Sequence, residues 1–432
     1  MRTAPLPQSN DPKSPLPAST IFLSTGLFFF FLMIVIPTTY QIWRGCLLGL
    51  LCLGALIGTS HASAQWRLDK QIVMILLLTT VASLLFMLNG VIQGAAGALR
   101  VGTVYVLWPL LYVFFTGFFR RPEIVVKFEK VILWGIIVSA LMGLLFVAES
   151  LFGQNGRIKE ILAFQGAAIG IYGGYIEYRL FNMTTLIYGF PFLVTLFLVR
   201  DKTNRSDFGK YVLITALILV LLAAAVSGRR AFFLVIMLSP FIIGPLLLVS
   251  RQYLPLKRLM ELILPVILVI LGIYSTAVID FSGIAEKIAS ARQEFSSGVR
   301  FEQFHTLMGQ WSEKPLLGYG AGAGSEKMIR SEEMTWTYEL SYISLLFQTG
   351  IVGVCVYTVA VGWVFTAGIK IVRNRPQAAS VILPLLSALA GFLIVNATNP
   401  YLWKFDYLWT LFLPVAAINA YRTRAPNSIS SS

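Results

Sequence analysis

The sequence predicts an all-α, polytopic membrane protein with about 12 transmembrane helices and one long extracytoplasmic loop. Hydrophobic residues make up 57% of the 432 residues and charged residues only 12%, whereas soluble domains average about 25% charged residues. Apolar runs of about 20 residues, the length that crosses a bilayer core, recur along the chain. One long hydrophilic interruption, residues 279–340, separates the ninth run from the tenth.

The predicted spans are apolar runs bounded by short connectors that are rich in basic residues. They lie near residues 20–40, 44–60, 72–95, 101–119, 131–149, 181–199, 211–227, 231–250, 259–278, 341–369, 377–396 and 407–421. The chain then divides into a Pro/Ser-rich, disordered tail at 1–19, nine spans at 20–278, the loop at 279–340, three spans at 341–421 and a second tail at 422–432.

The basic residues outside the long loop predict the orientation, because cytoplasmic connectors are enriched in Lys and Arg. With the N-terminus in the cytoplasm, most of these residues fall in cytoplasmic connectors. We therefore expect both termini in the cytoplasm and the long loop on the opposite face. The net charge of +14 is spread over the connectors, which is typical of membrane topology and not of a nucleic-acid-binding stripe.

Two smaller features give further expectations. Cys46, Cys52 and Cys355 lie in apolar runs without metal-ligand spacing, so we expect buried thiols and no metal site. Trp403, in the connector before the last span, is expected to anchor the protein at the membrane interface.

Several arginines break the orientation rule, because they fall on the predicted extracytoplasmic side. Arg179 lies at the mouth of the sixth span, and Arg229 and Arg230 form the turn between the seventh and eighth spans. Arg300 opens a helical piece of the long loop. The forked donors of guanidinium groups suit phosphate, so the set predicts anion binding. The alternative is that these side chains snorkel or pair with lipid headgroups.

The long loop shows helical periodicity followed by a glycine-rich stretch. Apolar positions predict an amphipathic helix at 283–295 and a second helix at 300–312. Pro315 ends the second helix, and the irregular backbone that follows can approach a ligand closely or form a simple turn. The glycines that permit this are Gly318, Gly320, Gly322 and Gly324. No strand precedes them and no Lys-Ser ending follows, which excludes the two nucleotide-binding fingerprints.

Taken together, these motifs resemble the O-antigen ligase and polymerase superfamily. The resemblance rests on Arg300, Trp311, the Pro315-Leu-Leu-Gly-x-Gly-x-Gly stretch and a following helix with Gly350-Ile-Val-Gly353, and it covers residues 175–355. It implies a GT-C-like fold and a metal-independent glycosyltransferase without cofactors, on the outer face of a bacterial inner membrane. The implied donor is an undecaprenyl-diphosphate-linked oligosaccharide, and the implied partners are membrane lipids and a chain-length regulator protein.

One departure from the family pattern separates two activities. Ligases of the superfamily carry a His-Asn pair at the position before Gly350 that Glu339 and Leu340 occupy here. Loss of that histidine favours a polymerase that joins polysaccharide repeat units over a ligase that transfers glycan to lipid A-core. Glu339 is then the candidate general base on an acceptor hydroxyl. Its alternative is a carboxylate favoured at a helix N-terminus.

The remaining candidate residues divide by role. Arg300, with Arg179, Arg230 and Arg229, is predicted to bind the diphosphate and to stabilise the charge of the leaving group. Candidate substrate contacts are Trp311, Gly318, Gly320, Tyr319, Tyr338 and His305. Of these, His305 is a packing or hydrogen-bonding residue in preference to a base.

Two non-enzymatic functions remain open at this point. A flippase would bind the same lipid-linked glycan without reacting with it. A secondary transporter also fits twelve spans with both termini inside, but its substrate site lies near the membrane midplane. The long loop does not divide the chain into two six-span halves, and charges inside the predicted spans are sparse, which argues against the transporter.

Overall fold

The computed structural model describes residues 17–37, 39–61, 66–152, 160, 167–172, 175–179, 182–199, 209–227, 229–253, 257–264, 267, 298–329 and 332–423. Within these residues, seven helices are long and apolar enough to cross a membrane. The described chain is therefore a bundle of helices of the membrane-spanning kind.

The described helices are numbered here in chain order. They are α1 (Pro17–Val35), α2 (Gln41–His61), α3 (Lys70–Ile92), α4 (Ala98–Thr116), α5 (Pro122–Phe152), α6 (Met183–Val199), α7 (Lys210–Ser227), α8 (Arg230–Val249), α9 (Val299–Trp311), α10 (Ser341–Asn374), α11 (Ala379–Asn396) and α12 (Trp409–Thr423). A π-helical turn, Thr103–Leu107, lies inside α4.

A helix coincides with each predicted span except the ninth. Of the ninth span, only residues 259–264 and 267 are described, and all of them are helical. The seven membrane-length helices are α3, α4, α5, α7, α8, α10 and α11. Shorter apolar stretches are Ile21–Val35 in α1, Ile42–Leu56 in α2 and Met183–Val199, which is α6. The count of twelve spans stays a prediction. The amphipathic helix predicted at 283–295 and most of both predicted tails lie outside the described residues.

A two-stranded hairpin departs from the all-α prediction. Strand β1 (Ala168–Tyr172) pairs antiparallel with β2 (Tyr175–Arg179), and Ala168 lies opposite Arg179. Isoleucine and tyrosine recur in both strands, and β-branched and aromatic residues favour strands. Gly-Gly separates the strands in the sequence and is typical of two-residue hairpin connections.

The centre of the bundle is α6, in which every residue from Met183 to Leu198 is buried. It packs most extensively against α11. Between them, the Thr195 hydroxyl donates to the Ser387 hydroxyl at 2.7 Å, and Ser387 donates to the Pro191 carbonyl at 3.1 Å. Small polar side chains of this kind join helices in membranes because they remove hydroxyl groups from hydrocarbon.

Two expectations from the sequence are wrong. Cys46 and Cys355 are exposed and Cys52 is partly exposed, because an apolar helix face in a membrane protein can face lipid instead of the core. Trp403 is buried and packs with Phe86 and Ala321, so it fills a core position and is not a ring anchored at the interface.

Candidate functional site

The two predicted catalytic residues form an ion pair. Arg300 lies in the first turn of α9, and Glu339 directly precedes the N-terminal end of α10. The Nε–H of Arg300 donates to Glu339 Oε2 at 2.6 Å, and both side chains are partly exposed. The pair therefore places a carboxylate and a guanidinium together at the surface of the loop, where an approaching ligand could reach both.

Buried polar groups of the loop hold Glu339 in place. The backbone N–H of Glu339 donates to the side-chain oxygen of Gln303 at 3.1 Å. Gln303 is fully buried and lies one turn after Arg300 on α9. One turn of α9 thus holds Glu339 at two points, since Arg300 binds its carboxylate and Gln303 binds its backbone N–H. The sequence contains no periodic signal that identifies Gln303.

Tyr338 supports the loop from inside. Its side chain is fully buried, and its hydroxyl oxygen accepts the backbone N–H of Ser325 at 2.6 Å. Burial raises the pKa of the Tyr338 hydroxyl, while the bond from Ser325 acts in the opposite direction. A ring without exposed surface cannot stack on a sugar in this arrangement. The predicted substrate contact at Tyr338 therefore does not enter the site we describe.

The glycine segment, defined here as residues 315–324, pairs with a break in α10. Gly350 has φ +61° and ψ −170° inside α10, which interrupts the helical hydrogen bonds. Ile351 and Val352 donate their N–H groups to the carbonyls of Pro315 and Leu316 at 2.9 and 3.2 Å. In return, the N–H groups of Tyr319 and Gly320 donate to the carbonyls of Phe347 and Gln348 at 3.0 and 2.8 Å. The segment thus satisfies the backbone groups that the break leaves unpaired, as nonhelical backbone at a membrane requires.

The same segment also contacts α3 and the start of α4. Ala321 N–H donates to the Phe86 carbonyl at 2.9 Å, and Gly97 N–H donates to the Gly322 carbonyl at 3.1 Å. A Cβ on Gly320, which has φ +89°, would lie 2.4 Å from the Gly90 backbone. The sequence leaves open whether these glycines approach a ligand or form a turn. In the structure, Gly318 has φ +66° and lies against the backbone of Phe347 and Gln348, so both Gly318 and Gly320 permit close approach to a helix.

The side chain of Gln348, in α10, forms hydrogen bonds with the glycine segment. Its side-chain oxygen accepts the N–H of Gly322 at 3.1 Å, and its amide donates to the carbonyls of Ala323 and Trp336 at 3.0 and 3.2 Å. The residue is fully buried. Sequence reasoning missed it, although a glutamine within the apolar run YISLLFQTGIVG is a signal, since polar side chains are costly inside spans.

Of the other predicted arginines, Arg229 and Arg230 lie at the end of the bundle where α6 begins, and Arg179 ends a strand of the hairpin. Arg229 is the N-cap residue of α8 and interacts electrostatically with Tyr407, whose hydroxyl also bonds to Thr184 at the start of α6. Arg230 is the first residue of α8 and Arg179 the last of β2. The Arg300–Glu339 pair belongs to the same end, because the Tyr342 hydroxyl, in the first turn of α10, donates to the Leu393 carbonyl near the end of α11.

The remaining predicted contacts lie on the loop surface. The indole N–H of Trp311 donates to the Pro315 carbonyl at 3.2 Å, which joins α9 to the glycine segment. The ring of Tyr319 stacks on Phe347 with centroids 4.9 Å apart. Its hydroxyl donates to Glu313 at 2.6 Å, and this bond raises the pKa of Tyr319 to about 12. His305 is exposed on α9.

Within the described residues, no group of three or more His, Cys, Asp or Glu side chains is placed to hold a metal ion. The polar groups gathered here are the ion pair, its buried glutamine support and the arginines at the same end of the bundle. No protein-family model matches the chain, and no curated protein matches it. Assignment of a function therefore rests on the residues and geometry of the site.

Proposed function

We propose that the protein is a membrane-embedded glycosyltransferase that polymerises polysaccharide repeat units. The donor is a glycan on undecaprenyl diphosphate, and the acceptor is the terminal sugar of a second lipid-linked repeat. The reaction takes place on the extracytoplasmic face of a bacterial inner membrane. The observation that supports this proposal best is the 2.6 Å ion pair between Arg300 and Glu339 on a loop beside the helical bundle.

The ion pair provides the two groups that this reaction needs. A lipid diphosphate is already a leaving group, so the protein must stabilise its developing charge and accept one proton. In our proposal, the diphosphate competes with Glu339 for the Arg300 guanidinium, whose amino groups carry further N–H donors. Binding of the donor would thereby release the carboxylate for use as a base.

The chemical step is a single displacement. A Glu339 carboxylate oxygen takes the proton of the acceptor hydroxyl as that oxygen attacks the anomeric carbon of the donor sugar. The bond from the anomeric carbon to the phosphate oxygen breaks, and its electron pair leaves with undecaprenyl diphosphate. Arg229 and Arg230, at the start of α8, and Arg179, at the end of β2, are proposed to bind the diphosphate. A membrane interface suits this chemistry because the lipid carrier stays in the bilayer.

The test replaces Glu339 with Gln, which keeps its size and removes its basic oxygen. In cells that depend on the variant, we expect long polymer to fall by a factor of about 10² to 10⁴, the range for loss of a general base, with single lipid-linked repeats accumulating. Glu302→Gln is the matched control, because Glu302 is an exposed carboxylate on α9 that is outside the proposed machinery.

Other outcomes separate the alternatives. Long chains that accumulate on the lipid carrier would identify a ligase instead of a polymerase. Repeats that accumulate on the cytoplasmic face would identify a flippase. Unchanged polymer, with expression of the variant verified, would remove Glu339 from the chemistry.

One observation favours the transporter as a second candidate. Helix α5 begins at Pro122, ahead of the predicted span at 131–149, so Glu129 lies inside the bundle and is 2% exposed. One of its carboxylate oxygens has no hydrogen-bond partner among the described residues. Acidic residues at such positions serve ion pathways in many transporters. Glu129→Gln should leave polymer length unchanged in a polymerase and abolish activity in a transporter coupled to ions.

A further inference from the structure

Helix α9 presents three different faces. Gln303 and Leu307 are fully buried and face the protein. Phe301 and Phe304 are 41% and 37% exposed. At roughly 100° of rotation per residue, Phe301 lies nearly opposite Gln303, whereas Phe304 lies beside Leu307. Glu302 is exposed and lies on the side of the helix away from Phe304. The helix therefore has one buried face and a separate apolar strip, Phe301 and Phe304, that the protein leaves partly exposed.

The exposed apolar face continues along the chain after α9. Leu316 and Leu317, at the start of the glycine segment, are 65% and 57% exposed. The Leu316 carbonyl accepts the N–H of Val352 at 3.2 Å, and Ile351 and Val352 are exposed on membrane-length helix α10. The exposed leucines are thus adjacent to an exposed apolar surface of a helix that is long enough to span a membrane.

An apolar patch of this kind in a polar loop needs an occupant, because monomeric soluble surfaces seldom leave several large apolar side chains exposed together. The continuity of the patch with α10 indicates that its occupant is membrane lipid. The patch begins on α9 and ends beside a helix of membrane-spanning length, so lipid that surrounds α10 can also reach α9. Helices with one apolar face and a polar edge lie in the membrane interface with the apolar side chains inserted.

We propose that Phe301, Phe304, Leu316 and Leu317 form a membrane-docking surface that inserts into the phospholipid leaflet at this end of the bundle. Arg300 directly precedes Phe301, so insertion sets its guanidinium at the level of the lipid phosphate groups, as for a snorkelling arginine. His305 lies on the same side, with its ring 4.2 Å from Phe301 and 5.6 Å from Phe304 by centroids. The proposal concerns position in the bilayer and does not depend on the reaction.

The experiment measures where single positions lie relative to lipid. Cys46, Cys52 and Cys355 are first replaced with serine, since two of them are exposed. A bimane fluorophore is then attached to Cys introduced by Phe304→Cys, Leu316→Cys or Glu302→Cys in the full chain, reconstituted in phosphatidylethanolamine and phosphatidylglycerol nanodiscs. Quenching by lipids brominated on the acyl chains is compared with quenching by aqueous iodide. Glu302→Cys is the matched control on the same helix.

We expect bromolipid quenching at positions 304 and 316 to exceed that at 302 at least several-fold, and iodide quenching to show the reverse order. Equal iodide quenching at 302 and 304 would place this face in water and overturn the proposal. Protection of position 304 from both quenchers would show that protein covers the patch, whether a second copy or a partner, and would overturn it equally. Each variant is first checked for an unchanged melting temperature, and none of these readouts depends on glycan synthesis.

Discussion

Replacement of Gln348 by leucine should release the glycine segment from the bundle. Leucine is similar in size but offers no hydrogen bonds, so the Gly322 N–H and the Ala323 and Trp336 carbonyls lose their partner. A buried backbone group without a partner costs about 1 to 3 kcal/mol. The bonds to Gly322 and Ala323 are buried, and these two groups alone give at least about 2 kcal/mol at the low end of that range. Since each 1.4 kcal/mol is a factor of ten, local opening of residues 315–324 should become about 30-fold more frequent.

Hydrogen exchange of the full chain in nanodiscs, read by mass spectrometry on peptides that cover 315–324, measures this opening directly. The amides of Tyr319, Gly320 and Ala321 are the reporters, because each donates to a carbonyl of α3 or α10. Gln93→Leu is the matched control, since Gln93 is an exposed glutamine whose bonds to Asn89 and Lys314 lie at the surface. Protection of 315–324 that changes less than about two-fold in Gln348→Leu would refute the idea that this side chain holds the segment, because a surface substitution has effects of that size.

Two further predictions concern the same part of the chain. Gly320→Ala should destabilise the protein by about 2 to 5 kcal/mol, because position 320 has a left-handed φ and the new Cβ would clash with the Gly90 backbone. Its control is Gly309→Ala, which should be neutral or stabilising because position 309 is an exposed helix position with open space around it. Thermal unfolding of the two variants measures the difference. Glu313→Gln should lower the pKa of Tyr319 from about 12, measured as tyrosinate absorbance that Tyr319→Phe removes. Since the folded pKa exceeds the unfolded value of about 10, the stabilisation from this bond is present below pH ~10 and lost between ~10 and ~12.

The sequence predicts the positions of the helices well, because the hydropathy of a run of residues determines both how it appears in the sequence and whether it forms a helix in the membrane. Burying about 20 apolar residues in hydrocarbon favours a span wherever such a run occurs. Helix α9 also matches its prediction, since Val299–Trp311 differs from 300–312 by one residue at each end. Glycine, isoleucine and tyrosine each occur three times in residues 168–179. The isoleucines and tyrosines favour a strand, a signal that a prediction based on apolar spans overlooks.

The candidate site was predicted less completely. Arg300 and Glu339 were each named from motifs, and the structure places them in direct contact, which spacing alone cannot show for residues on different elements. Gln303 and Gln348 were missed, because the partners of a buried amide are backbone groups distant in sequence. The ligand role assigned to Gly318 and Gly320 followed from their conformational freedom. That freedom does not reveal whether the close neighbour is a ligand or, as here, another helix.

This difference in the role of the glycines changes how loss-of-function variants must be interpreted. Glu339 lies just before the part of α10 that ends at the Gly350 break. Backbone hydrogen bonds from the glycine segment pair the groups that the break leaves without helical partners. A glycine variant therefore undocks the segment and also frees the start of α10, which moves Glu339 relative to Arg300. Such a variant should lose activity without any loss of a ligand contact. Only variants that keep residues 315–324 protected from hydrogen exchange, as we expect of Glu339→Gln, can assign chemistry to a side chain of this loop.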